Sequence, residues 1–189
     1  MGVIGSLCEK TILLNNGKVQ YFGNTRSSID KYLKTNISSI EIKRQLQKTT
    51  KPFLNLLRIE NIDCKINTKI TIKIGVNSCK PDSVSLEITL KDHLYNSIAF
   101  ASLGLLKREH MLKLETGYQE KSYIIDLNQI AKGTYYLTAQ IAYPMIEILS
   151  KIDPGIQFEV NPEPPETGAL ILDQNWSYGS FPLQIKEIC

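Results

Sequence analysis

Histidine is nearly absent, two residues in 189, and the four cysteines Cys8, Cys64, Cys79 and Cys189 stand apart with no C-x-x-C pair. That spacing builds neither a zinc site nor a disulfide framework, and the expectation is buried or free thiols in a reducing compartment. His93 and His110 have no ligand set and no nucleophile motif around them, which leaves them as loop or surface residues and argues against Ser-His-Asp or Cys-His catalysis. No apolar run approaches the length of a bilayer span, and the first residues lack the basic start and apolar stretch of a secretory leader. Lys and Arg exceed Asp and Glu by three (22 against 19) and are scattered without aromatic interleaving, so nucleic acid is not an expected partner. The acidic residues show no paired constellation of the kind a glycosidase needs. There is also no G-x-x-x-x-G-K-(S/T), hence no glycine-rich loop to wrap a triphosphate with backbone N–H groups.

What is present begins with a hairpin signal. Residues 11–14 form a short apolar β-type run, Asn16-Gly17 is a strong two-residue turn signal, and residues 18–22 return to Gly23. Residues 25–34 read as a helix with Ile29, Tyr32 and Leu33 on one face. A hairpin and one helix bury too little apolar surface to fold alone, so this segment must dock on something. Met1-Gly2-x-x-x-Ser6 also matches a short, common N-myristoylation pattern, which a chain truncated at a methionine explains without lipid.

Leu7, Cys8, Glu9, Lys10, Ile12, Leu14, Gly17, Lys18, Val19, Gly23, Tyr32 and Leu33 fall in order on a pattern that resembles the C-terminal tail of an ABC-transporter nucleotide-binding domain. The resemblance implies that residues 1–35 are the incomplete end of such a domain. It also implies that the chain is the C-terminal part of a longer ATPase, whose phosphate-binding loop, paired acidic residues, signature motif and switch histidine lie outside it. On this reading the chain itself is not an enzyme and needs no cofactor, while the full-length parent would use ATP and Mg.

Residues 36–52 are polar with thinly spaced isoleucines and read as a linker, partly helical over 41–47; Pro52 marks the start of a new unit. From Phe53 the dominant period changes from 3.6 to 2. Ile70, Ile72, Ile74 and Val76 alternate with polar or small neighbours; so do Val84, Leu86, Ile88 and Leu90, and again Tyr135, Leu137, Ala139 and Ile141. Further short strands are expected at 56–62, 97–101, 121–127, 157–160 and 169–172, divided by turn signals such as Lys80-Pro81-Asp82, Lys132-Gly133-Thr134 and Asp153-Pro154-Gly155. About eight short strands at this spacing predict an immunoglobulin-like antiparallel β-sandwich over 53–189, a mainly β fold. The run from Leu127 through Gly133 to Tyr135 predicts a tyrosine corner, with the ring buried and the hydroxyl on a nearby carbonyl. Pro162, Pro164 and Pro165 form a rigid connector, after which a last strand either pairs at home or is exchanged with a second copy.

The two halves together resemble the Wzt-type ATPase subunit of exporters for O-antigen and related cell-surface polysaccharides. The second half carries this through Gly133 to Tyr135, Phe158-x-Val160, and Gly168-x-Leu170 leading to Trp176. The resemblance implies a bacterial carbohydrate-binding module that recognises the polysaccharide and couples it to transport. It further implies a homodimer with possible C-terminal strand exchange, contact with a membrane-spanning exporter subunit through the parent ATPase, and a cytoplasmic place at the inner face of the plasma membrane. The alternative is a dimerising or protein-interaction sandwich that regulates an ABC ATPase without touching sugar.

For sugar contact, aromatic rings must meet C–H faces and polar side chains must meet hydroxyls. Tyr136, Thr138 and Gln140 lie on the outward side of their strand and are the expected platform, extended by Thr71, Lys73, Asn77, Glu87 and Thr89. Tyr118, Tyr123, Tyr143, Trp176 and Tyr178 are further aromatic candidates, some of which must be core.

Overall fold

A computed structural model of the chain describes residues 4, 7–15, 17–36, 40–45, 49–65, 67–164, 170–176 and 179–182. The expected hairpin and helix are present. Strands β1 (Lys10–Asn15) and β2 (Lys18–Asn24) pair antiparallel with Asn15 opposite Lys18, and Gly17 takes a left-handed φ of 75° in the two-residue connection. Helix α1 (Thr25–Asn36) follows, its first turn capped by the Asn24 side chain, which accepts from the Arg26 N–H at 2.9 Å. Asn16, the other turn residue, lies outside the described residues, as do Pro165, Gly168, Ala169, Tyr178 and Cys189.

The rest is an antiparallel β-sandwich. One sheet runs β3 (Glu41–Lys43), β4 (Phe53–Asp63), β5 (Thr68–Ser78), β9 (Gly117–Asn128). The other runs β11 (Glu147–Val160), β10 (Gly133–Tyr143), β6 (Asp82–Lys91), β7 (Ser97–Leu103), and β8 (Leu112–Leu114) also pairs with β6. The alternation seen in the sequence sets the facing. Ile70, Ile72, Ile74 and Val76 meet Val84, Leu86, Ile88, Leu90, Leu137, Ala139 and Ile141 in one core. Tyr135 is fully buried and donates its hydroxyl to the Ala131 carbonyl at 2.7 Å, the expected corner.

Three expectations about elements are corrected, and one element is new. Residues 41–43 are strand and pair with β4, where a partly helical linker was expected; residues 46–48 lie outside the described part. Asp153-Pro154-Gly155 is no turn between strands but a bulge inside β11: Ile152 pairs with Ala139 and Ile156 with Leu137, so three residues face the single Thr138. Leu170 to Leu172 form no strand; Asp173 makes an isolated parallel bridge to Lys132. The short β8 is an element the periodicity did not announce.

Between β7 and β9 the sandwich opens in an apolar cleft of about 130 Å³, lined by Ile72, Leu86, Leu103, Tyr123 and Ile125. At one end Lys121 occupies an inward-facing position opposite Ile74 and reaches across to donate to the Lys113 carbonyl of β8 at 3.1 Å.

Candidate functional site

The residues expected to form one platform lie on opposite faces of the molecule. Tyr136, Thr138, Gln140, Glu87 and Thr89 sit on the outer face of the β11–β10–β6–β7 sheet; Thr71, Lys73 and Asn77 sit on the outer face of the other sheet. Because the two sheets pack through their inner faces, no single ligand group touches both sets. A period-2 pattern identifies an outward side chain but does not say which sheet it belongs to.

On the first of these faces, exposure is also corrected. Tyr136 is only 3% exposed, covered by Ile29 of α1 and flanked by Tyr95, whose ring stands edge-on to it at 5.1 Å. Thr138 and Glu87 are buried as well, and both Glu87 oxygens are taken, one by Ser85 at 2.8 Å and the other by Gln140 at 2.6 Å. Beside them the β11 bulge presents Asp153, which accepts from the Tyr95 hydroxyl at 2.6 Å and from Lys151 at 2.8 Å, with Lys91 at 3.4 Å. This face is a closed polar network rather than an open platform.

Burial pushes the Asp153 carboxyl up, but the hydrogen bonds from Lys151 and Tyr95 and the charges of Lys91 and Lys151 outweigh it, and the net direction is down. A carboxyl lowered in the folded state contributes stability that is complete above its unfolded pKa and is lost as pH falls through its folded one. Asp153→Asn is therefore expected to cost stability near neutral pH and to narrow the gap from wild type as pH drops below about 4. Urea unfolding at a series of pH values checks it; a gap constant with pH refutes it.

The outer face of the β3–β4–β5–β9 sheet is different. Lys73 lies at its centre, 2.8 Å from Glu60 and 3.8 Å from Glu120, and Ser122 donates to Glu60 at 3.1 Å. Arg58, opposite Lys73 in register, pairs with Glu41. The Lys73 hydrogen bond holds Glu60 below the usual carboxylate range, and the same bond raises Lys73, so both stay charged at neutral pH. Asn77 pairs with Tyr118, whose ring leans over Gly75: a Cβ added at Gly75 would lie 2.4 Å from the Tyr118 hydroxyl oxygen and 2.7 Å from Leu56 Cβ. Glycine here lets an aromatic side chain lie along the sheet. Tyr118 remains 42% exposed, and its hydroxyl donates to Glu120 at 2.8 Å. Burial of the hydroxyl, then the Glu120 bond, push the phenol up to about 12, so it stays a donor. Thr71, half-buried, lies next to Ile124, which is 70% exposed. The result is an aromatic ring and an aliphatic side chain on a sheet face otherwise made of charged and amide groups.

Of the eight expected residues, this face unites Thr71, Lys73 and Asn77, and it adds Arg58, Glu60 and Glu120. Glu60 was hidden because it is the extra residue of a β4 bulge: Ile59 pairs with Ile72 and Asn61 with Thr71, so the alternation skips it. Gly75 was the usable signal, a glycine breaking an otherwise regular strand. Among the other aromatics, Tyr123 lines the interior cleft, Tyr143 donates to Asp82 at 2.5 Å, and Trp176 lies in a short 3-10 turn after the Asp173 bridge. Among the described residues no group of His, Cys, Asp and Glu could hold a metal ion.

Fold and site together define an antiparallel β-sandwich with a hairpin–helix tail and one polar, aromatic-bearing sheet face. No protein-family model matches the sequence, and no curated protein matches it. Among solved structures the chain is similar to the C-terminal domain of Wzt, with 14% identity and a TM-score of 0.49 over 67% of this chain and 73% of that one. It is also similar to a putative β-galactosidase from Bacteroides fragilis (14% identity, TM-score 0.38, 55% of this chain and 15% of that one). A glycosyl hydrolase family 2 member from Bacteroides cellulosilyticus gives 10% identity and a TM-score of 0.39 over 60% of this chain and 15% of that one. Likeness at these scores concerns strand arrangement and says nothing about ligands.

Proposed function

We propose that the chain is the glycan-recognition part of an ATP-binding subunit in a polysaccharide ABC exporter, and that the Tyr118 face contacts the glycan. The observation that carries the site is the half-exposed Tyr118 ring held over Gly75 with Lys73, Glu60, Glu120, Arg58 and Asn77 around it. Such a ring meets the C–H face of a pyranose, while the surrounding charged and amide groups meet its hydroxyls. The chain is proposed to have no catalytic role and no cofactor of its own, ATP and Mg belonging to the parent.

The tail supports the exporter half of the reading. Ile12, Leu14, Val19 and Phe22 share one side of the hairpin, with Ile12 opposite Phe22 and Leu14 opposite Val19, and each is 58–64% exposed. An apolar side of this kind suits packing against the body of a nucleotide-binding domain. Homodimerisation, contact with a membrane-spanning subunit through that domain, and a place at the cytoplasmic face of the plasma membrane belong to the same proposal.

The test is a calorimetric titration with the surface polysaccharide of the organism that encodes the chain. Wild-type protein is expected to bind, and Tyr118→Ala to weaken binding about tenfold or more without loss of fold. Gly75→Ala, which evicts the ring without deleting it, is expected to act in the same direction. No binding by wild type at millimolar glycan would instead support an interaction module that regulates the ATPase without sugar.

A further inference from the structure

The two margins that face each other across the open side of the sandwich, β7 and β9, leave space between them. On β9 the inward positions include Lys121, Tyr123 and Ile125, opposite Ile74, Ile72 and Ile70. On β7 they are Ala99, Ala101 and Leu103, opposite Leu90, Ile88 and Leu86. Two of these three are alanine, where the facing strands carry isoleucine and leucine, so the core is not filled out to its edge. The apolar cleft of about 130 Å³ is that unfilled space, with Ile72 and Leu86 at its floor. A cavity of roughly this size walled by aliphatic side chains stays dry and takes a guest of about six carbons.

Two polar groups border the cleft with capacity to spare. Tyr123 lines it half-buried, and among the described residues its hydroxyl has no hydrogen-bond partner. Burial pushes the phenol pKa up, so the hydroxyl stays a donor. Lys121 follows one alternation further along β9, about 7 Å away along the strand. It spends one of its N–H donors on the Lys113 carbonyl and keeps the others. Lys51, Lys73, Lys91 and Lys151 each have a carboxylate partner, whereas Lys121 has none among the described residues. A lone cation thus stands at an inward position of the strand, at the end of an apolar space.

We infer that the cleft between β7 and β9 binds a short aliphatic carboxylate, its chain of about six carbons lying over Ile72 and Leu86 and its head group accepting from Lys121 and Tyr123. Chain and head are each selected. A hydroxyl carried on the chain would be left unpaired against Ile72, so a sugar ring is rejected. An ammonium head would meet the Lys121 charge and be repelled. The cleft and the Tyr118 face therefore take different chemistries, and this site does not depend on the glycan reading.

The full chain is titrated with sodium hexanoate, without glycan, while its isoleucine methyl resonances are followed by NMR. Ile72 and Ile125 are expected to shift saturably with a Kd on the order of 1 mM, a strength within reach of so small a ligand. Hexylamine, the same chain with the opposite charge, is expected to bind at least about tenfold more weakly. Lys121→Ala is expected to weaken hexanoate about tenfold, Lys121→Arg to restore most of the loss, and Tyr123→Phe to cost about threefold. Ala101→Leu, which fills the cleft from β7, is expected to abolish the shifts; should it fail to fold, the Lys121 variants at the margin carry the test. No saturable shift at about 20 mM hexanoate, equal binding of hexylamine, or an unchanged Kd in Lys121→Ala overturns the site.

Discussion

Gly155→Ala is expected to destabilise the protein by about 3 kcal/mol, more than most single methyl additions. The β11 bulge brings Gly155 so close to β10 that a Cβ would lie 1.9 Å from the Leu137 carbonyl oxygen and 2.5 Å from its carbon. A crowded side-chain tip can rotate away, but a carbonyl inside a sheet cannot move without breaking its ladder. Leu137 and its neighbours Ile152 and Ile156 are also fully buried, so the strain spreads into the core rather than into solvent. A second effect follows, because the Gly155 N–H donates to the Tyr95 hydroxyl at 3.2 Å and the bulge positions Asp153 beside it. The urea midpoint is expected to fall with the slope of the transition unchanged. A loss below about 1 kcal/mol would mean that the bulge can relax.

The second large effect is expected at the tyrosine corner, where two substitutions separate two contributions. Tyr135→Ala removes a fully buried ring lying 5.9 Å from Phe158 and is expected to cost about 4 kcal/mol. Tyr135→Phe keeps the ring and removes only the donor to Ala131, with an expected cost of about 1–2 kcal/mol. Burial drives the hydroxyl pKa up, so it remains a protonated donor across the ordinary pH range, and the Phe penalty is expected to be flat from pH 5 to 9. The Ala131 N–H in turn donates to the Ser180 carbonyl at 2.9 Å, which ties the chain's later segment to the same corner. Equal losses for the two variants would place the whole effect in the hydrogen bond and refute the division.

The strands legible in the sequence are those in which every second residue keeps its side. β5, β6 and β10 each alternate without interruption over the core-facing positions, and their facing was readable from Ile70, Val84 and Tyr135 onward. What was not legible lies at the bulges and at contacts between distant segments. Glu60 falls out of phase because β4 carries an extra residue there, and the first part of β11 was obscured because Pro154-Gly155 carries the residue chemistry of a turn. Tyr136 faces outward as its strand position requires, yet it is buried, since nothing local to β10 announces that α1 will lie on it. The candidate site was half visible for a similar reason. Lys73 and Asn77 follow from alternation, whereas their separation from Gln140 and Thr89 depends on which strands share a sheet.

Lys121 has a consequence for assembly. Its side chain lies across the open margin of β9, where an incoming strand would have to align, and β11 at the other sheet's margin is interrupted by its three-residue bulge. The margin opposite β9 is β3, only three residues long. Of the four sheet margins described, these three are short, bulged or bear an inward-facing lysine, and the fourth is β7, seven residues from Ser97 to Leu103. A second copy that continued a sheet edge to edge would meet the fewest such obstacles along β7.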